Sequence, residues 1–179
     1  MLLSDRDIWV ELESGQLSFS PELTVEQIGP ASIDLHLDKL AKRFKKPPRG
    51  YDEINLSLVG AKDLVDYASE ALDLTGGFSL GPNEFLIGYT LEAVSLPPYL
   101  GARVEGRSGY ARMGLSVHNT APTIQPGYKG QIALELSNNG LFKLRLEPGI
   151  LICQLLLERL TSEPTSGYGG TWQEQTSSS

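Results

Sequence analysis

Gln131-Ile-Ala-Leu-Glu-Leu-Ser137 reads as a β-strand, and the turn that feeds it, Pro126-Gly-Tyr-Lys-Gly130, sets where it begins. In an extended chain Ile132, Leu134 and Leu136 fall on one side, while Gln131, Ala133, Glu135 and Ser137 fall on the other. Pro126 fixes the entry, and the glycines suit a turn. Glu135 therefore stands on a rigid element opposite an apolar face. Alternation alone does not make it catalytic, since a glutamate on a strand is usually a solvated side chain.

Working outward, Ile33, Leu35 and Leu37 alternate with Asp34 and His36, which marks a second half-buried strand. Further strand-like runs fall at Phe85 to Thr90, Arg103 to Glu105, Ser116 to His118, Lys143 to Leu146 and Ile150 to Leu157. Pro97-Pro98 and Pro148-Gly149 punctuate them. Many short strands with Pro/Gly turns predict a mainly β sandwich or distorted barrel, not a doubly wound sheet.

Helices are few. Ser4-Asp-Arg-Asp7 has the form of a capping box with Asp in place of Glu or Gln; Ile8 and Leu12 follow, and Gly15 is the expected stop. Leu64, Val65, Ala68 and Leu72 recur at helical spacing, predicting an amphipathic helix from Ala61 to Leu72 packed on the sheet. Residues 1–160 form one expected domain, and no internal repeat is evident. The tail from Thr161 to Ser179 is rich in Ser, Thr and Gly, has little to bury, and is expected to be mobile.

A chain of 179 residues is long enough for a real core, and its net charge of −7 argues against nucleic acid as a partner. Lys42-Arg-Phe-Lys-Lys46 followed by Pro47-Pro-Arg49 is the one basic cluster, read as a solvated loop or strand end. No apolar run is long enough to span a bilayer, and Met1-Leu-Leu-Ser-Asp-Arg6 is not a secretory signal. The single cysteine, Cys153, lies in an apolar strand pattern and reads as a buried structural thiol. No disulfide can form within the chain, which fits a cytoplasmic location.

Arg107-Ser-Gly-Tyr-Ala-Arg112 is the densest cluster of polar chemistry. It reads as a helical turn entered through Ser108 as N-cap, whose free N–H groups favour anions. Arg112, four residues on, shares a face with Ser108, and Arg107 adds a guanidinium fork suited to phosphate. Spacing alone favours a capped surface helix with two solvated arginines.

That block continues as Met113-Gly-Leu115, and with Val117-His-Asn-Thr-Ala-Pro-Thr-Ile-Gln-Pro-Gly-Tyr-Lys-Gly-Gln-Ile-Ala-Leu-Glu-Leu136 it resembles the signature region of the dCTP deaminase family. The resemblance extends to Leu3-Ser-Asp-Arg-Asp-Ile8, Pro30-Ala-Ser-Ile-Asp-Leu35 and Glu147-Pro-Gly-Ile-Leu-Ile-Cys-Gln-Leu155, in the family's order over nearly the whole chain. It implies a distorted jelly roll of the kind found in trimeric dUTPases, assembled as a homotrimer with active sites at subunit interfaces. The implied activity is conversion of dCTP to dUTP and ammonia, towards dUMP and thymidylate. The alternatives are a bifunctional deaminase forming dUMP and pyrophosphate, or a dUTPase. A non-catalytic nucleotide-binding protein on the same fold is the rival of another class.

The resemblance also assigns roles. Glu135 becomes the base that takes the proton of the attacking water and relays protons to the ring and the leaving amine. Ser108 and the carbonyl of Ala121 help hold that water, and Arg112 steadies the array. Arg107, Ser108 and Gly109 contact the triphosphate, with Tyr110 and Ala111 in the same substrate-binding block. Ala133 and Leu134 present backbone groups to the pyrimidine edge. Tyr168 and Gln175 close over the nucleotide, and His118 is a packed or hydrogen-bonded histidine beside the site. Mg²⁺ arrives on the triphosphate rather than on dedicated carboxylates. dUTP and, as an inhibitor, dTTP are the other implied ligands.

Zinc-dependent deaminases use an H-x-E and P-C-x-x-C signature. Two histidines and one cysteine, none at that spacing, cannot supply such a site. If the chain deaminates a cytosine ring, a carboxylate must activate the water without zinc. Two positions depart from the family. Thr171 stands where some members carry lysine, and Gln125 stands where many carry an aspartate at the deoxyribose. In dUTPases that aspartate activates the water that attacks the triphosphate. A neutral amide cannot, which favours dUTP as the end product.

Overall fold

The computed structural model describes residues 1–47, 53–57 and 60–178. In chain order the elements are α1 (Asp5–Glu13), β1 (Ser18–Ser20), β2 (Ile33–His36), β3 (Leu40–Phe44), α2 (Ala61–Ala68), β4 (Ser69–Asp73), β5 (Phe78–Leu80), β6 (Phe85–Ser95), β7 (Leu100–Gly106), α3 (Ser108–Ala111), β8 (Leu115–Ser116), β9 (Thr123–Ile124), β10 (Lys129–Asn138), β11 (Leu144–Leu146) and β12 (Leu151–Arg159). The strands pair antiparallel in three sheets. One has the order β4-β3-β6-β10-β8, with β1 also on β6; the second has β2-β12-β7-β9; the third is the β11-β5 pair. The mainly β reading holds, but among the described residues no sheet closes on itself, which corrects the barrel expectation. β4 and β8 end one sheet and β2 and β9 the other, and no hydrogen-bonded ladder joins these edges among the described residues.

A single core joins the two larger sheets. Leu86, Val94, Ile132, Leu134 and Leu136 come from the first, and Ile33, Leu35, Val104, Ile152 and Leu155 from the second. Leu134 and Leu136 are fully buried, as the alternation of β10 requires. Truncating such a leucine to alanine costs about 2–5 kcal/mol. Cys153 is likewise buried and free, and its apolar surroundings push the thiol well above its ordinary pKa. Among the described residues no helix is long and apolar enough to cross a membrane.

The first helix follows its signals. The Ser4 hydroxyl accepts from the Asp7 amide while the Asp7 carboxylate accepts from the Ser4 amide, completing the capping box. Gly15 follows with φ +71°, a conformation that glycine adopts without strain. The second helix is shorter than expected. It ends at Ala68, and Ser69 to Asp73 peel away to pair with β3, placing Leu72 opposite Ala41. The Ser69 hydroxyl donates to the Val65 carbonyl at 2.6 Å and satisfies the last turn. Apolar spacing could not distinguish a third helical turn from a strand offered a free sheet edge.

β6 runs five residues past the expected Thr90. Inward-facing Glu92, 2% exposed, broke the apolar pattern there. Its carboxylate accepts from the Gln27 side chain at 2.8 Å and from the His36 amide at 3.0 Å, and lies 2.6 Å from His36 Nδ1. A buried charge with that many partners is tolerated where an unpaired one is not. In the basic cluster, Lys42 to Phe44 lie on β3 and Lys42 Nζ donates to Asp66 at 2.9 Å; Pro48 and Arg49 lie outside the described residues.

Candidate active site

β10 delivers the central carboxylate. Its pairing with β6 shifts register between Gln131 and Ala133, and the unpaired Ile132 amide donates instead to the Thr90 hydroxyl at 2.9 Å. This bulge re-aims the strand, and Ala133 and Glu135 come to line a cavity of about 300 Å³. Ile87 and Tyr89 of β6, Ile132, Thr123, Ile124 and Val65 of α2 provide much of its wall. Ala121, Gln125, Tyr168 and Gln175 line it too, so six residues singled out from the sequence meet in one hollow. Glu135 is the one carboxylate among the lining residues. Its Oε2 accepts from the Asn119 main-chain amide at 2.7 Å, which fixes the carboxylate against the loop that carries Ala121.

The Arg107-to-Arg112 block does not reach this cavity. Its residues are absent from the lining, and Ser108, Gly109, Tyr110, Ala111 and Arg112 are exposed. Arg107, in an extended conformation, is the cap residue and Ser108 the first helical one, which corrects the expected Ser108 cap. The Arg112 amide donates to the Ser108 carbonyl at 3.2 Å, so the two do stand one turn apart. Arg107 Nη1 donates to Asp34 Oδ2 at 2.6 Å. Leu134 sends its side chain into the core, and only its backbone remains for recognition. His118 Nε2 stands 4.0 Å from Glu105, and its buried Nδ1 has no hydrogen-bond partner among the described residues.

The tail lies along the start of β10. The Tyr168 amide donates to the Pro126 carbonyl at 2.9 Å, and the Tyr168 ring sits 5.9 Å from that of Tyr128. The Glu174 amide donates to the Lys129 carbonyl at 2.7 Å, and the Gln131 amide to the Gln175 carbonyl at 3.0 Å. The Gln175 side chain donates to the Tyr128 hydroxyl at 2.9 Å and to the Gln131 carbonyl at 3.0 Å. Ser177 donates its amide to the Gln131 side chain at 2.6 Å. Main-chain and amide hydrogen bonds hold this segment, so hydropathy gave no sign of its seat. Burial pushes the Tyr128 phenol up to about 12, keeping it a neutral donor to Gln131 O at 2.6 Å.

The sequence reading missed Trp172, Tyr89, Ile87 and Asn119. Trp172 had a signal: with Tyr168 it is one of the few bulky side chains in a polar tail, and it lines the cavity. The others had none, because their roles depend on partners far along the chain. Thr171, at the position where some family members carry lysine, lines a smaller adjoining hollow with Lys42, Lys62, Asp66 and Glu174, and Lys42 is paired there with Asp66.

A family model described as dCTP deaminase-like matches residues 2–160. A protein of Dictyoglomus thermophilum named dCTP deaminase, dUMP-forming is 40% identical over 171 residues, covering 94% of this chain and 85% of that protein. A protein of the same name from Streptomyces coelicolor is 38% identical over 169 residues, covering 94% and 85%. The solved 2'-deoxycytidine 5'-triphosphate deaminase of Agrobacterium tumefaciens superposes with a TM-score of 0.69 at 23% identity, a likeness of fold. That match covers 89% of this chain and 48% of the Agrobacterium chain.

Proposed function

The chain belongs to the dCTP deaminase-like family, and from that footing we propose that it hydrolyses the 4-amino group of dCTP with Glu135 as general base. The observation that carries this reading is the pinned Glu135 carboxylate in a largely apolar cavity beside Ala121. Water attacks C4 of the cytosine ring, Glu135 takes its proton and passes it on, and the tetrahedral intermediate expels ammonia to leave the uracil carbonyl. Low polarity strengthens the electrostatic work of the carboxylate. The Ala121 carbonyl and Ser108 hydroxyl orient the water, with Arg112 steadying the charge.

Ser108 and Arg112 belong to a second copy in this proposal. Pocket and arginine block lie apart within one chain, so a homotrimer with interface sites, on a jelly-roll topology, brings them together. Arg107, Ser108 and Gly109 of the neighbouring copy then hold the triphosphate, and Tyr110 and Ala111 complete that block. The backbone of Ala133 and Leu134 reads the pyrimidine edge, Gln125 bonds the sugar, and Tyr168 and Gln175 close the tail over the nucleotide. Mg²⁺ rides on the phosphates and neutralises them. No group of three or more His, Cys, Asp or Glu gathers among the described residues to hold a metal separately. dTTP occupies the same pocket as an inhibitor, and the lone buried thiol fits a cytoplasmic setting.

The relatives named dUMP-forming support a second step, cleavage of the triphosphate to dUMP and pyrophosphate. One observation favours stopping at dUTP: Gln125, not an aspartate, lines the cavity. Incubation with dCTP and Mg²⁺, following ammonia and pyrophosphate together, separates the readings. Equal yields of the two support the dUMP-forming enzyme; ammonia with intact dUTP supports the dUTP-releasing one. dCTP left intact, with no ammonia and no pyrophosphate released, would refute the proposal.

A further inference from the structure

Arg107 is doubly placed at the corner between β7 and α3. Its carbonyl accepts from the Ala111 amide at 2.9 Å, which starts the helix, and its side chain reaches Asp34 of β2. Asp34 is itself held by two further side chains. Gln154 of β12 donates to its other carboxylate oxygen at 3.1 Å, and Gln27 donates to its main-chain carbonyl at 2.9 Å. Strand register explains the placement: Gln154 pairs with Asp34 on one side and Glu105 on the other, and Cys153 pairs with Gly106, the residue before Arg107. The Asp34 carboxylate is 18% exposed and the Arg107 side chain 33%, so the pair is partly shielded from water.

Resting on the reading that Arg107 binds substrate phosphate, we propose that Asp34, braced by Gln154, is a positioning residue for Arg107. A carboxylate on one nitrogen restrains the long side chain while a guanidinium has five donors, so the fork remains able to bind an anion in a prepared orientation. Without it, the arginine must be ordered by the substrate, at a cost in affinity. The contact acts on binding and not on the ring chemistry, which belongs to Glu135.

The test is a double-mutant cycle in steady-state deamination of dCTP. Asp34→Asn keeps the shape and removes the charge; it is expected to raise KM about tenfold with kcat within about twofold of wild type. In an Arg107→Met background the same change is expected to alter KM less than about twofold, because nothing remains to be positioned. Gln154→Met covers the case in which Asp34→Asn does not fold; it should raise KM about threefold, again only when Arg107 is present. A wild-type KM in the single variants, a fall in kcat alone, or equal effects in both backgrounds would overturn the assignment of Asp34. Wild-type protein that leaves dCTP untouched would instead overturn the proposed function, and this inference with it.

Discussion

The main-chain amide of Asn119 donates to Oε2 of Glu135 at 2.7 Å, tying the loop after β8 to the middle of β10. One contact thus sets both the carboxylate and the neighbouring Ala121 in the cavity wall. Glutamine at 135 keeps an oxygen to accept from Asn119 but cannot take a proton. Glu135→Gln is therefore expected to fold and bind dCTP while ammonia release falls by ~10²–10⁴-fold. Half of the wild-type turnover in that variant would remove Glu135 from the role of base.

The tail depends on a glycine in β10. Gly130 has φ +135°, and a Cβ there would meet the Gln175 carbonyl at 2.7 Å. Gly130→Ala should expel the tail while leaving the core unchanged. Rapid proteolysis after Leu160 and lost turnover are the expected readouts, matched by a chain truncated after Leu160 that still folds. Full activity in the truncated chain would separate the tail from catalysis.

Glu174 carries a strain that can be relieved. Its φ is +59°, a conformation costing an L-residue roughly 1–2 kcal/mol. Glu174→Gly keeps the main-chain hydrogen bond from residue 174 to the Lys129 carbonyl and is expected to slow proteolysis of the tail by roughly tenfold, the equivalent of about 1.4 kcal/mol. Faster cleavage would mean that the glutamate side chain supplies more than its backbone costs.

Tyr128 makes stability depend on alkaline pH. Burial raises its folded pKa to about 12, against 10.0 for the ordinary phenol. The unfolded chain therefore releases this proton first. The contribution is intact below pH 10 and lost as the pH climbs through 12, at about 1.4 kcal/mol per pH unit within that window. Unfolding free energies measured across the window should fall more steeply for wild type than for Tyr128→Phe. Parallel curves would assign the alkaline loss to other groups.

Local pattern made much of this protein legible: the apolar face of β10, the Ser4–Asp7 capping box and the mainly β class all follow from neighbours within a few residues. Such features depend on periodicity, turn chemistry and the residue inventory, which the linear chain displays directly. The length of β6, the change from α2 to β4 and the cap at Arg107 were hidden, because distant partners decide them: Glu92 is admitted to the interior by Gln27 and His36, and β4 forms on the edge of β3. The same holds for function. Arg107 and Glu135 are near in sequence, yet one is drawn to Asp34 and the other to Asn119. Trp172 and Gln175 reach the cavity through backbone pairing with β10 that no hydropathy pattern encodes. Side-chain alternation records which face of a strand avoids water; which strand, loop or tail covers the other face is settled by long-range hydrogen bonding and packing.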